Sequence, residues 1–300
     1  MKQIATKKIK DSFGDRVFMG CVLALTFLIL CATLYPLIYV VSASFSSSEA
    51  VMNGEVYFLP VGLSLDGYME VFQNEDIVVG FKNTVIYTVV GTAINMILTT
   101  LLAYPLSRKQ FRGRKILMFL IVFTMYFNGG LIPTYYVISK LGLIDTIWAL
   151  VLPCGVPIFN VILMMNFFRG IPESLEESAM LEGAGQWTIM SKIYLPLSKP
   201  SIATVTLFSL INHWNSWFDG LIYSNFTDNY PLQSYLQTMV VDMRSIIQSG
   251  NMEDIVNALS VNDKNLKAAQ IFISIIPLMV IYPFCQKYFT AGLTLGSVKG

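Results

Sequence analysis

Charge is scarce in this sequence. Asp, Glu, Lys and Arg make up 13% of 300 residues, while 54% are hydrophobic; the charged share is about half that of a soluble domain. The net charge is +1, which excludes the bulk basicity that holds nucleic acid. Histidine is nearly missing, with His213 alone. The four cysteines, Cys21, Cys31, Cys154 and Cys285, sit singly in apolar stretches without a CxxC pair and read as small buried hydrophobes. A metal centre needs several soft, imidazole or carboxylate ligands at local spacing, so no metal site is expected. No GxxxxGK(S/T) phosphate loop occurs, so ATP is not expected to bind this chain. No cluster of acids, bases and metal ligands of the kind a catalytic site needs is visible in the sequence, which argues against a membrane enzyme.

What is present is long apolar runs. A spanning helix needs roughly 20 mostly apolar residues. Six segments qualify: 17–42, 84–106, 115–137, 147–168, 200–222 and 269–289. Open strands would leave backbone groups unpaired in lipid, so the expected fold is an all-α membrane protein with six transmembrane helices. Residues 17–290 are expected to form a single transmembrane domain between an N-terminus at 1–16 and a tail at 291–300. The first run is longer than the roughly 7–15 apolar residues of a secretory signal and reads as an uncleaved span. Prolines fall inside the fourth span (Pro153, Pro157) and the sixth (Pro277, Pro283), which a membrane bundle tolerates better than a soluble helix does.

The basic residues orient the chain. With the N-terminus inside, the inner segments hold fifteen of the twenty Lys and Arg, including the run Arg108, Lys109, Arg112, Arg114 and Lys115. That asymmetry predicts a multi-pass membrane protein with both termini cytoplasmic. Two outer loops, 43–83 and 223–268, are too long for turns and read either as docking surface for an external partner or as solvated loops.

The inner loop 169–200 reads as two short helices. Pro172 suits a first helical position, and Glu173, Glu176 and Glu177 lie at the positive end of the first helix. Gly183 suits a left-handed stop, and a second helix is expected from Trp187 to Tyr194, closed by Leu195-Pro196. Ser178, Ala179 and Gly183 share or adjoin one face whose short side chains admit a close neighbour.

Glu177-Ser178-Ala179, Gly183 after three residues, and Ile193-x-Leu195-Pro196 after nine more resemble the EAA signature of binding-protein-dependent ABC importer permeases, EAA-x3-G-x9-I-x-LP. Only Ser178 departs from it, where the family usually has Ala. IPTYYVISKLGLIDTIWALVLP (132–153), WNSWFDGLIY (214–223), NYPLQSYL (229–236) and GLTLGSVKG (292–300) resemble the maltose-transporter-like, carbohydrate-uptake branch, and within it the Gram-positive subgroup for complex or oligomeric sugars. The resemblance covers most of the chain from the second span onward.

It implies alternating access driven by partners: a second homologous permease subunit, two ATPase subunits that bind ATP and Mg on the cytoplasmic face, and an extracellular sugar-binding protein. Glu177, Ser178, Ala179, Gly183, Ile193, Leu195 and Pro196 would form the coupling loop (169–199) that docks the ATPase. Glu177 could instead serve only to complement the helix terminus. The tail, with Gly292, Gly296 and Lys299, would reach the ATPase dimer or remain a free end. Asn212, His213, Trp214, Asn215, Trp217 and Asp219 either line the sugar pathway or form part of an interfacial aromatic belt. Rival readings are an ABC permease for a non-sugar solute and a stand-alone secondary transporter, although charges near the span centres are almost absent.

Overall fold

The computed structural model describes residues 12–239 and 264–296, and every regular element among them is helical. Two compact units emerge, residues 1–70 with 259–272 and residues 71–258 with 273–300.

In the first unit, α1 (Phe13–Ser44) is apolar on all sides, with a mean hydropathy of 2.6 over its best window and none of that window buried. Such a helix has no polar face to offer water, which suits a membrane span rather than a surface helix. Its last residues turn polar and are gripped by the following loop. Ser42 Oγ donates to the Phe58 carbonyl at 2.7 Å, and the Val61 N–H donates to Ser46 Oγ at 3.0 Å. The amide of Asn265 donates to the carbonyls of Ala43 and Ser46, and Ala43, Val51, Val56 and Ala268 close a small core. The loop is therefore folded, and carries α2 (Ser48–Met52) and the start of α3 (Asp66–Gln73).

The second unit is built around α4 (Glu75–Ser107), an unbroken helix of 33 residues. Asn74 caps it by accepting from the Ile77 N–H at 3.2 Å. Its buried stripe includes Gly80, Thr84, Thr88, Gly91, Thr92, Asn95, Thr99 and Ala103. Small and hydroxylated residues there let helices approach closely, the reverse of a soluble helix that buries its large apolar face. Against α4 pack α8 (Ile158–Arg169) and α12 (Lys199–Trp214). Tyr104, Leu106, Met164, Phe168, Tyr194 and Val205 lie in the shared core.

Three of the expected continuous spans are interrupted. The run 115–137 divides into α5 (Arg114–Tyr126) and α6 (Leu131–Lys140), bent by 113°. Gly130 makes the corner at φ +86°, a conformation that glycine reaches without strain. The run 147–168 divides into α7 (Ile147–Val151) and α8, because Pro153 and Pro157 remove donors and their rings crowd the preceding turns. The run 200–222 divides at Asn215–Trp217 into α12 and α13 (Phe218–Tyr223). Among the described residues, three helices are long and apolar enough to cross a membrane alone: α1, α4, and the 265–284 stretch of α14 (Lys264–Gly296); α5 with α6 qualifies as a bent pair.

Candidate functional site

The segment 169–200 folds as a hairpin. Pro172 precedes α9 (Glu173–Leu181) as its cap rather than opening it. Gly183, at φ +83°, reverses the chain: its N–H donates to the Met180 carbonyl at 3.0 Å, and the Ala184 N–H donates to Ala179 at 2.9 Å. The return arm starts with α10 (Gln186–Ile189) and does not close at Leu195-Pro196 as expected. It widens into a π-helical turn at Met190–Tyr194, where the Leu195 N–H bonds back to the Met190 carbonyl, and then continues through α11 (Leu195–Leu197). Widening the helix makes room for Pro196, which has no N–H and would crowd the carbonyl four residues back.

One side of this hairpin is fixed to the bundle. Ile189, Met190 and Tyr194 are buried in the shared core, with Ala179, Ala184, Ile193 and Leu195 packed partly against it. Tyr194 meets Tyr104 edge-on at 5.2 Å and Phe168 at 5.6 Å; such pairs contribute about 0.5–1.5 kcal/mol each beyond burial. Beneath them, the buried Arg108 at the end of α4 pairs with the buried Glu176 of α9. Its guanidinium lies 4.9 Å from the Tyr194 ring centre and 5.8 Å from that of Tyr104. The Tyr194 hydroxyl donates to Glu176 at 3.4 Å, and the Tyr104 hydroxyl donates to Gln186 Oε1 at 2.7 Å. Burial, and then Glu177 beside it, push the Glu176 carboxyl up; the contacting guanidinium of Arg108 is the opposite charge that a buried carboxylate requires. At the exposed edge Lys109 meets Glu173 at 2.7 Å and holds that carboxyl below the usual range.

The other side is bare. Glu177, Ser178 and Pro196 are exposed, and Ser178 Oγ merely donates to the Ser174 carbonyl at 2.9 Å. Leu181 is 91% exposed and Trp187 72%, two large apolar groups near Gly183, where a Cβ would meet nothing within 4 Å among the described residues. The sequence pattern thus separates in space: Ala179, Ile193 and Leu195 turn toward the bundle, while Glu177, Ser178 and Gly183 face away. Sequence reasoning missed Arg108, Tyr104, Gln186 and the pairing role of Glu176. The available signal was the i, i+3 spacing of Glu173 and Glu176 opposite the adjacent bases Arg108 and Lys109.

The polar run from Asn212 to Asp219 does not converge on one point. Asn212 is exposed and lines a cavity of about 480 Å³ with Cys154, Phe159, Asn160 and Phe208. His213 is buried, its Nε2 3.2 Å from Asn95 Oδ1, and Asn95 Nδ2 donates to the Cys154 carbonyl at 2.7 Å, a group left free by the break between α7 and α8. Trp214 is buried, and its Nε1 donates to the Ser274 carbonyl at 2.8 Å. Asn215 ends α12; Trp217 is exposed beside Phe218, and Asp219 accepts from the Ser216 hydroxyl at 3.2 Å. Gly292 and Gly296 continue the backbone of α14, while Lys299 lies outside the described residues.

Residues 10–294 match a family described as the binding-protein-dependent transport system inner membrane component. The chain is 40% identical over 292 residues to the polygalacturonan/rhamnogalacturonan transport system permease protein YtcP of Bacillus subtilis, covering 97% of this chain and 100% of that protein. It is 30% identical to the arabinooligosaccharides transport system permease protein AraQ of Halalkalibacterium halodurans, over 89% of this chain and 91% of that one. Among solved structures, a chain of a bacterial ABC transporter involved in import of the acidic polysaccharide alginate superposes with a TM-score of 0.82 at 36% identity, covering 94% of this chain and 100% of that one.

Proposed function

Because the chain belongs to the binding-protein-dependent transport system inner membrane components, we propose that it is one of two permease subunits of an importer for oligosaccharides, with uronate-containing chains the first candidates. It is a multi-pass membrane subunit and a non-catalytic part of its transporter. The sugar assignment rests on the substrates named for its relatives: polygalacturonan and rhamnogalacturonan, arabino-oligosaccharides and alginate.

In this reading the permease domain, residues 17–290, crosses the membrane six times, three crossings being interrupted helices. Both termini and the hairpin at 169–199 face the cytoplasm, as the excess of inner Lys and Arg favours. The two outer loops receive the binding protein. Two partner ATPases bind ATP and Mg, dock on Glu177, Ser178, Gly183 and their apolar neighbours, and draw the two permeases through alternating access. The tail with Gly292, Gly296 and Lys299 reaches the ATPase dimer. Asn212 and the exposed Trp217 are the pathway candidates; His213 and Trp214 support them from within the bundle.

The observation that carries this reading is the two-sided hairpin, fixed to the bundle through Arg108, Tyr194 and Ile189 and bare around Gly183, Leu181 and Trp187. A rigidly mounted apolar surface with an acid at its edge suits the transfer of force from a soluble motor. The test is co-purification of the tagged chain from its native membrane. A second permease and an ATPase are expected to be recovered, and Gly183→Trp or Glu177→Ala is expected to lose the ATPase while the chain still inserts. A chain that purifies alone and transports sugar alone in liposomes would overturn the proposal.

A further inference from the structure

Resting on the importer reading above, we propose that α4 is the connecting rod of this subunit. Arg108 with Glu176 at one end, and Asn83, Thr84 and Tyr87 at the other, are positioning residues that tie it to the hairpin and to the loop at 227–232.

Both ends of α4 are bound by side chains. At the hairpin end Arg108 pairs with Glu176, Tyr104 donates to Gln186 at 2.7 Å, and Arg169 Nη2 donates to the Leu106 carbonyl at 3.3 Å. At the far end Asn83 Nδ2 donates to the carbonyls of Asp228 at 2.7 Å and Tyr230 at 3.2 Å. The Tyr87 hydroxyl donates to the Asn229 carbonyl at 3.0 Å, and the Leu232 N–H donates to Thr84 Oγ1 at 2.7 Å. The backbones meet there: a Cβ on Gly80 would lie 3.3 Å from the Leu232 Cα.

α4 is unbroken over its 33 residues, and the stretch from Asn83 to Ser107 between the two sets of ties is about 36 Å long at 1.5 Å per residue. The helices packed beside it are shorter and interrupted. α8 has 12 residues and follows the proline break, while α12 has 16 and ends at Asn215–Trp217. Motion of the hairpin along α8 or α12 would be absorbed at those breaks. Along α4 it would arrive at residues 227–232 as a displacement of the loop itself. Two elements tied to one rigid helix cannot move independently, and this is the linkage that a transporter responding on one face to events on the other requires.

The test uses the complete importer in liposomes, with its binding protein and sugar. Wild type must first show ATP hydrolysis stimulated by the loaded binding protein; absence of stimulation would count against the importer reading rather than the rod. Glu176→Gln and the pair Asn83→Ala/Tyr87→Phe should each leave assembly and basal hydrolysis within about twofold of wild type, while cutting stimulation by about tenfold. Combining the two ends should be no worse than either alone, because a linkage in series is already open after one cut. Arg108→Met with Glu176→Leu replaces the ion pair by apolar contact and should restore stimulation to within about threefold of wild type, since a buried pair and a packed apolar pair can hold equally well. Unchanged stimulation, or losses from the two ends that multiply as independent sites do, would overturn the proposal. Should Glu176→Gln fail to assemble, Tyr104→Phe, which removes the bond to Gln186, cuts the same end: a loss that does not multiply with that of Asn83→Ala/Tyr87→Phe supports the rod, and unchanged stimulation or a multiplied loss overturns it.

Discussion

A methyl group added at Gly91 would stand 2.5 Å from the Cε1 and Nε2 atoms of the His213 imidazole. The imidazole is held against α4 by Asn95, whose amide also reaches the Cys154 carbonyl, so it has nowhere to retreat. Gly91→Ala should therefore cost about 1–3 kcal/mol, as overpacking in a close-packed interior does. The thermal unfolding temperature of the solubilised complex should fall, and His213→Ala in the same chain should recover part of the loss; equal, additive losses would show that the two residues do not touch. The sequence marks His213 as unusual, being a lone histidine at membrane depth, but says nothing of Gly91, because a glycine that merely makes room looks like any other. The hairpin divides in the same way. The spacing from Glu177 to Pro196 was legible because a motif is a matter of order along the chain. The buried partner of Arg108 was not, because Glu176 and Glu177 differ only in which way the helix turns them.

Helices were legible as apolar runs, and their interruptions only in part. Pro153 and Pro157 announce one break, and Gly129-Gly130 offers a second, but nothing in Asn215–Trp217 removes a backbone donor. That break ends α12 where Ser216 and Asp219 form their own local bond, a preference of short polar side chains that composition averages away. The connection before α7 shows how loops are fixed between elements. Asp145 sits at φ +62° and accepts from the Asn225 N–H at 2.6 Å and from the Asn225 amide at 2.7 Å. These bonds hold its carboxyl below the ordinary value of 3.8. A depressed folded pKa means that the carboxylate's contribution is complete above the unfolded value and is lost as pH falls through the folded one. Acidification well below the ordinary value should therefore weaken this clasp, and Asp145→Asn should remove that part of the pH dependence. Hydrogen exchange of the Asn225 amide, followed against pH in both proteins and corrected for intrinsic exchange, measures it; an identical pH profile in the two would show that the carboxylate contributes nothing.

For the whole molecule the open quantity is how many times the chain crosses the membrane, and parity decides it. α1, α4 and α14 alone would give three crossings, and the bent pair α5–α6 would make four. Counting the interrupted pairs α7–α8 and α12–α13 as well gives the six that the apolar runs predict. Interrupted backbone survives at membrane depth only where something else satisfies it. Asn95 does this for the α7–α8 break, reaching the Cys154 carbonyl at 2.7 Å. The three counts place reporters differently when the N-terminus is inside. Six crossings put a reporter inserted after Ala184 inside, one after Asp228 outside and one at the C-terminus inside. Four put the first two outside and the last inside; three put the first two inside and the last outside. A fluorescent protein that matures inside, paired with a phosphatase that needs oxidation outside, should report inside, outside, inside. That pattern places Glu177 and Gly183 on the side of ATP, whereas a reporter after Ala184 that reads outside would leave the hairpin with no motor to meet.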